Sequence, residues 1–386
     1  MQDLSRLGME FGQYVQEVTA DLLLSDKTPA SLSAMEQSTR AAMLKLGNFL
    51  LSGWLALQND RYPSQTLPCR CGATTRYHGL REGVLFTILG RVVYHRAYYL
   101  CEACHQGTYP LDERLGLRPG ELSAELESLS ALTGVQMPFG QGRDYFERLT
   151  LVGLSPQSMD KATQAIGREV EQVEAEWKTA SQDHAELQRQ DREEPPLERL
   201  YGALDATKVH TAEKRDATDE GWRDLKVGAW FETEAQPPTQ PDQAWDIQAK
   251  NLTYFCDLQE AKSFGELLWA TGVQRHATRA KELIFVGDGA EWIWNLVTSY
   301  YPHAVQIVDW FHAVEHLTPV AALVGSPTGA ATWLQQVRQA LWDGRLEEVI
   351  GACATLATPG CNEDPAQKAV TYFTNNRERI SYCEKR

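Results

Sequence analysis

Toward the end of the first sixty residues, apolar side chains return at intervals of three and four, at Met43, Leu46, Leu50, Trp54 and Leu57. That spacing lines up one face of a helix. It predicts helix over 33–58 and a helical region over 1–60, whose apolar stripe serves core or dimer packing. The period then changes. Residues 83–89 and 91–100 are rich in β-branched and aromatic side chains and meet at Leu89-Gly90-Arg91, which predicts a β-hairpin. Helical spacing returns over 122–189, interrupted at Met137-Pro138-Phe139-Gly140 and at Gly153-Leu154-Ser155-Pro156. A serine hydroxyl can cap a helix whose first residue is proline, so a helix is expected to start at Ser155-Pro156 and run through Trp177. Residues 183–199, which contain Glu193-Glu194-Pro195-Pro196, read as a linker.

Beyond the linker the pattern is mixed. Strands are expected at 200–209, 225–233 and 251–258, a helix at 261–274, a strand at 282–286, a helix at 290–299 and a strand at 304–308. Three strands followed by helix, strand, helix, strand is the order of a ribonuclease-H-like domain, an antiparallel meander extended by parallel strands through helical crossovers. From Trp310 onward the chain reads as helical, with breaks at Gly325-Ser326-Pro327 and Thr358-Pro359-Gly360. The expected fold is therefore α+β and multidomain. It comprises N-terminal helices (1–60), a zinc-ribbon-like hairpin module (61–120), a helical region with a helix-turn-helix-like pair at 143–151 and 155–170 (121–198), a ribonuclease-H-like α/β core (199–312) and an incomplete C-terminal helical insertion (313–386).

Composition narrows the function classes. A chain of 386 residues, 43% hydrophobic and 23% charged, can bury a core and fill two or three domains. No apolar run approaches the roughly 20 residues that span a bilayer, and the N-terminus lacks the basic start and apolar stretch of a secretion signal. The expectation is a cytoplasmic protein without membrane partners. Eight cysteines in such a chain point to metal ligation or buried thiols rather than disulfides. A net charge of -15 works against phosphate binding, but it is unevenly spread. Residues 61–118 hold eight arginines against four acids, whereas 160–199 hold six bases against eleven acids. Arg70, Arg76 and Arg81 in the basic segment, with Lys161 and Arg168 on the helix-turn-helix-like pair, are the expected DNA contacts.

Two cysteine pairs, Cys69/Cys71 and Cys101/Cys104, flank the predicted hairpin. Pairing its strands brings four thiolates together, the donor set of a tetrahedral structural Zn²⁺, with His78, His95 and His105 as possible substitutes. Such a closed site contributes folding energy rather than catalysis. Asp205 falls on the first expected core strand and Asp288 just past the fourth, and these strands are neighbours in the expected sheet. Alone, each aspartate would be a turn or strand-end residue. Together they can hold two Mg²⁺ ions about 4 Å apart for phosphoryl transfer. His312, Glu315 and His316 also match H-x-x-E-H, an inverted zinc-peptidase pattern, as a remote alternative.

The segment 199–317 resembles the DDE-type transposases of bacterial insertion sequences, closest to the Kra group and similar to the Mutator-like superfamily. The resemblance rests on Gly202-Ala203-Leu204-Asp205-Ala206-Thr207, Gly221-Trp222-Arg223-Asp224-Leu225-Lys226-Val227-Gly228, Val286-Gly287-Asp288-Gly289-Ala290 and Val308-Asp309-Trp310-Phe311-His312-Ala313-Val314-Glu315-His316. It implies a homo-oligomeric enzyme that cuts and joins DNA at transposon ends and target, with catalytic carboxylates at Asp205 and Asp288. Asp309 and His312 match the family's Cys/Asp-x-x-His element, which supports the site. The family's third carboxylate is a glutamate beyond a helical insertion, introduced by a Gly-Ser-Gly-like turn. Glu315, Glu347, Glu348, Glu378 and Glu384 lack that context. The expectation is a truncated transposase with impaired cleavage, the alternative being an inactive derivative that only binds DNA.

Overall fold

The computed structural model describes residues 2–25, 31–58, 64–183, 185, 187, 189, 196–211, 218–237, 246–258, 260–358, 364–380 and 382. Two compact units divide the chain, 1–171 and 172–386. Most of the expected linker lies outside the described residues. No described helix is long and apolar enough to cross a membrane.

In the first unit, α1 (Gln2–Ser25) and α2 (Leu32–Gln58) form a helical hairpin, with Tyr14 stacked on Phe49 at 4.8 Å. A four-stranded antiparallel sheet follows in the order β1 (Thr66–Pro68), β2 (Thr74–Thr87), β3 (Gly90–Cys101), β4 (Gly107–Thr108). The expected hairpin is its centre, and its strands are longer than the apolar runs suggested. The Asn48 side-chain amide donates to the carbonyls of Leu89 and Arg91 at 3.0 and 2.9 Å, tying α2 to the hairpin turn. Leu55, Leu85, Val92, Tyr94 and Leu111 form a small core. Burying each removes apolar surface worth about 1.5–3 kcal/mol. Helices α3 (Pro110–Leu115), α4 (Ala124–Gly134), α5 (Phe139–Thr150) and α6 (Pro156–Ala180) complete the helical part, with the division between units falling inside α6. The expected helix-turn-helix-like pair corresponds to α5 and α6. Leu151 closes α5 in a left-handed conformation, and the Ser155 hydroxyl accepts from the Ser158 N–H at 3.0 Å to cap α6.

The second unit is a mixed five-stranded sheet in the order β7-β6-β5-β8-β9 with helices around it. Antiparallel β5 (Arg199–His210), β6 (Trp222–Gln236) and β7 (Asp246–Asp257) form a meander, and β8 (Glu282–Gly287) and β9 (Val305–Val308) extend it parallel to β5. Crossover helices α7 (Ala261–Gln274) and α8 (Glu291–Tyr300) join β7 to β8 and β8 to β9. The pattern fits a meander whose inner strands are buried among aromatics. Trp230 on β6 is fully buried, packs edge-to-face on Phe285 and Tyr301 at 5.3 and 5.7 Å, and donates its indole N–H to the Thr271 hydroxyl at 2.9 Å. Helices α9 (Trp310–Ala321), α10 (Pro327–Trp342), α11 (Leu346–Ala354) and α12 (Pro365–Asn375) follow β9 and share the same core.

Candidate functional site

The parallel pairing of β5, β8 and β9 stops at one level, and an aspartate follows it on each strand, just past the ends of β8 and β9 and part-way along the longer β5. Leu204 on β5 is paired with Gly287 on β8, which is paired with Val308 on β9. The next residue in each strand's direction is Asp205, Asp288 and Asp309. The Asp309 N–H donates to the Gly287 carbonyl at 2.7 Å, which holds the last two close. All three aspartates and His312 line one cavity of about 450 Å³, walled by Val227, Gly228 and Tyr254 of the meander. Ligand sites in open α/β sheets favour this edge, outside the carboxyl ends of parallel strands.

Each carboxylate is oriented by its own backbone. Asp205 Oδ1 accepts from the Ala206 N–H, Asp288 Oδ1 from the Ala290 N–H, both at 2.7 Å, and Asp309 Oδ1 accepts from Phe311 and His312 at 2.8 and 3.1 Å as the cap of α9. Among the described residues, Oδ2 of all three has no hydrogen-bond partner and none of the three pairs with Lys or Arg. Carboxylate oxygens are hard donors of the kind that hold divalent cations. The aspartates are not drawn into a tight cluster, however. Among the described residues, the four cysteines are the only set of three or more such ligands whose donor atoms lie within 4.8 Å of one another.

That sulfur set is the second site. Cys69 Sγ lies 3.6 Å from Cys104 Sγ and Cys71 Sγ 3.7 Å from Cys101 Sγ. A tetrahedron with Zn–S bonds of about 2.3 Å has S–S edges of about 3.8 Å, so the cysteines fit Zn²⁺. Each pair sits on a tight turn: the Gly72 N–H donates to the Cys69 carbonyl at 3.0 Å, and the His105 N–H to the Cys101 carbonyl at 2.8 Å. The Cys104 N–H draws the Cys101 thiol down to about 7. The Gln106 N–H acts the same way on Cys104, but burial and the other three sulfurs outweigh it and push that thiol up to about 12. A full thiolate set is therefore expected only with a cation among the sulfurs. His78, His95 and His105 are not part of the cluster.

No protein-family model matches this chain, and the search of curated proteins found no match.

The expected DNA contacts are exposed. Arg70 and Arg76 make only loose surface pairs, with Glu113 at 4.0 Å and Glu102 at 3.5 Å, and Arg81 lies over the Tyr98 ring. Lys161 and Arg168 line a separate cavity of about 590 Å³ beside Ser155 and Glu127. Not every arginine of the basic segment is available. Arg96 is buried and paired with Asp112, which also accepts from the Tyr94 hydroxyl at 2.8 Å.

Sequence reasoning missed the residues that hold the aspartate turns. The Tyr372 hydroxyl on α12 donates to the Asp288 carbonyl at 2.7 Å, and the Asn376 amide donates to the Gly289 carbonyl at 3.3 Å. Gly289 has φ +98°, and a Cβ there would meet the Tyr372 ring at 2.6 Å, so the turn admits only glycine. The Tyr382 hydroxyl donates to the Val308 carbonyl, one residue before Asp309, at 3.1 Å. His316 stacks on Tyr372 with ring centroids 3.7 Å apart, and burial there, then His312, depress its pKa against the opposing pull of Glu315 and Asp288. The three hydrogen bonds span 74 to 87 residues of sequence, and no local pattern marks them. His312 Nδ1 lies 3.5 Å from Glu315 Oε2, and no described three-ligand set joins the H-x-x-E-H residues.

Proposed function

We propose that this protein is a DDE-type DNA transposase with a ribonuclease-H-like core, similar to the Kra group of bacterial insertion-sequence enzymes. One observation carries the reading: Asp205, Asp288 and Asp309, far apart in sequence, follow one register row across three parallel strands and line one cavity with His312. A meander extended by two parallel strands is the arrangement expected of that core. Mg²⁺ ions held by Asp205 and Asp288 would supply activation of the attacking oxygen and stabilisation of the leaving oxygen. The chain's own part is positioning. Backbone N–H groups fix one oxygen of each carboxylate and leave the other without a partner among the described residues, while Asp309 caps α9 and so sets the position of His312. The cysteine module, as a Zn²⁺ site, would shape the Arg70, Arg76 and Arg81 surface for duplex DNA.

A second reading, a derivative that binds DNA without cutting it, is favoured by the cavity's composition: among the described residues no glutamate lines it. Supercoiled plasmid carrying candidate element ends separates the two. Nicking that requires Mg²⁺ and falls at least about a hundredfold in Asp205→Asn supports the enzyme, since loss of a metal-holding group removes several kcal/mol of transition-state stabilisation. Absence of nicking by folded wild type, with end binding intact, selects the inactive derivative.

A further inference from the structure

The second unit carries a larger cavity that the reading above does not use. It has a volume of about 960 Å³ and lies between α8, α12 and the Arg377–Arg379 turn. That volume is within the range of a built ligand cleft. Its wall is polar, with Asn295 and Asn375 exposed and Gln367 half-buried. The side-chain amides of Asn295, Gln367 and Asn375 face it and make no hydrogen bond among the described residues. An amide offers a donor and an acceptor side by side, which is the pattern on the edge of a nucleobase. The floor is rigid: buried Trp294 donates its indole N–H to Asn376 Oδ1 at 3.1 Å, and the Arg379 guanidinium lies over its ring at 5.0 Å.

We infer that this groove binds single-stranded DNA by its base edges. Charge alone does not account for the lining, because only Lys368 and Arg379 bring positive charge and Glu291 offsets part of it. A site built for phosphate would be dominated by Lys and Arg. Base edges hidden inside a duplex become available in a single strand, so unpaired amides select the melted form. Continuity supplies the second argument. Gly289 lines this groove while Asp288, its neighbour, lines the carboxylate cavity, and Tyr372 borders the groove as it holds the Asp288 carbonyl. A strand lying in the groove crosses the Asp288-Gly289 turn into the cavity where cutting is proposed. The inference rests on that reading for its biological sense, but not for its test.

The test is binding of a short mixed-sequence single-stranded oligodeoxynucleotide and of its duplex to the full chain, without Mg²⁺. Combined Asn295→Ala, Gln367→Ala and Asn375→Ala is expected to weaken single-strand binding about thirtyfold, roughly threefold for each lost hydrogen bond, and to leave duplex binding unchanged. Asn375→Asp, a single change of the same shape that repels phosphate, is expected to act in the same direction and guards against misfolding of the triple variant. Single-strand binding equal to wild type in both variants overturns the inference, as does equal loss for single strand and duplex, or no single-strand binding by wild type. Mg²⁺-dependent nicking with wild-type binding in the variants removes only the groove. Selective loss of single-strand binding in a chain that never nicks DNA removes only the transposase reading.

Discussion

Tyr372 shows how one side chain can set the geometry of a carboxylate it does not touch. Its hydroxyl donates to the Asp288 carbonyl, its ring fills the space that Gly289 leaves open, and His316 stacks on its other side. Burial raises the phenol's pKa above its usual range, so it remains a donor at neutral pH. Tyr372→Phe keeps the ring and removes only the hydroxyl. Denaturant titration is expected to show a loss of about 1 kcal/mol, the usual contribution of one such bond, and the Mg²⁺ concentration for half-maximal nicking should rise because the Asp288 turn is held less firmly. Unchanged Mg²⁺ dependence would mean that the hydroxyl stabilises the fold without positioning the carboxylate.

At the scale of elements, the cysteine sheet depends on its ends. β1 and β4 are three and two residues long, and each borders a cysteine turn. Strands so short carry no periodicity of their own, which is why the sequence revealed only β2 and β3. A Zn²⁺ held by the four cysteines would tie those edges together. One Zn²⁺ per chain is expected by elemental assay, and Cys101→Ser, which replaces a fully buried ligand, should remove it and lower the thermal midpoint of the first unit, since metal-binding energy in such modules is largely folding energy. A full complement of zinc in that variant would exclude the tetrathiolate site. The core sheet was more legible. Alternation and β-branched runs marked all five of its strands, because each is long enough, or buried enough, to show its period. Asp205 stood out as an acid on the first expected strand and Asp288 as one just past the fourth, on strands expected to be neighbours. Asp309 was read as support, and only the register row Leu204-Gly287-Val308 puts it level with the other two. Register between parallel strands depends on which faces are buried and on the geometry of long connections, and a single sequence does not display it.

On the scale of the whole molecule, a chain of net charge -15 must concentrate its positive surface to meet DNA. Of the eight arginines over 61–118, Arg96 is spent on Asp112, Arg118 on Glu127 and Glu121, and Arg114 on Gln58. Arg70, Arg76 and Arg81 are exposed, and their partners are surface groups whose attraction is weak in water. They can exchange those partners for phosphates at small cost. Each phosphate neutralised on duplex DNA adds about -0.9 to the slope of log affinity against log salt. Combined Arg70→Gln, Arg76→Gln and Arg81→Gln is therefore expected to weaken duplex binding and to flatten that slope by roughly 2.7 if all three contact phosphate, measured by fluorescence anisotropy across a salt series. The remaining acidic surface repels DNA in wild type and variant alike, so it cancels in the difference. A slope unchanged by the three substitutions would place the duplex elsewhere, with Lys161 and Arg168 on α6 next to be neutralised.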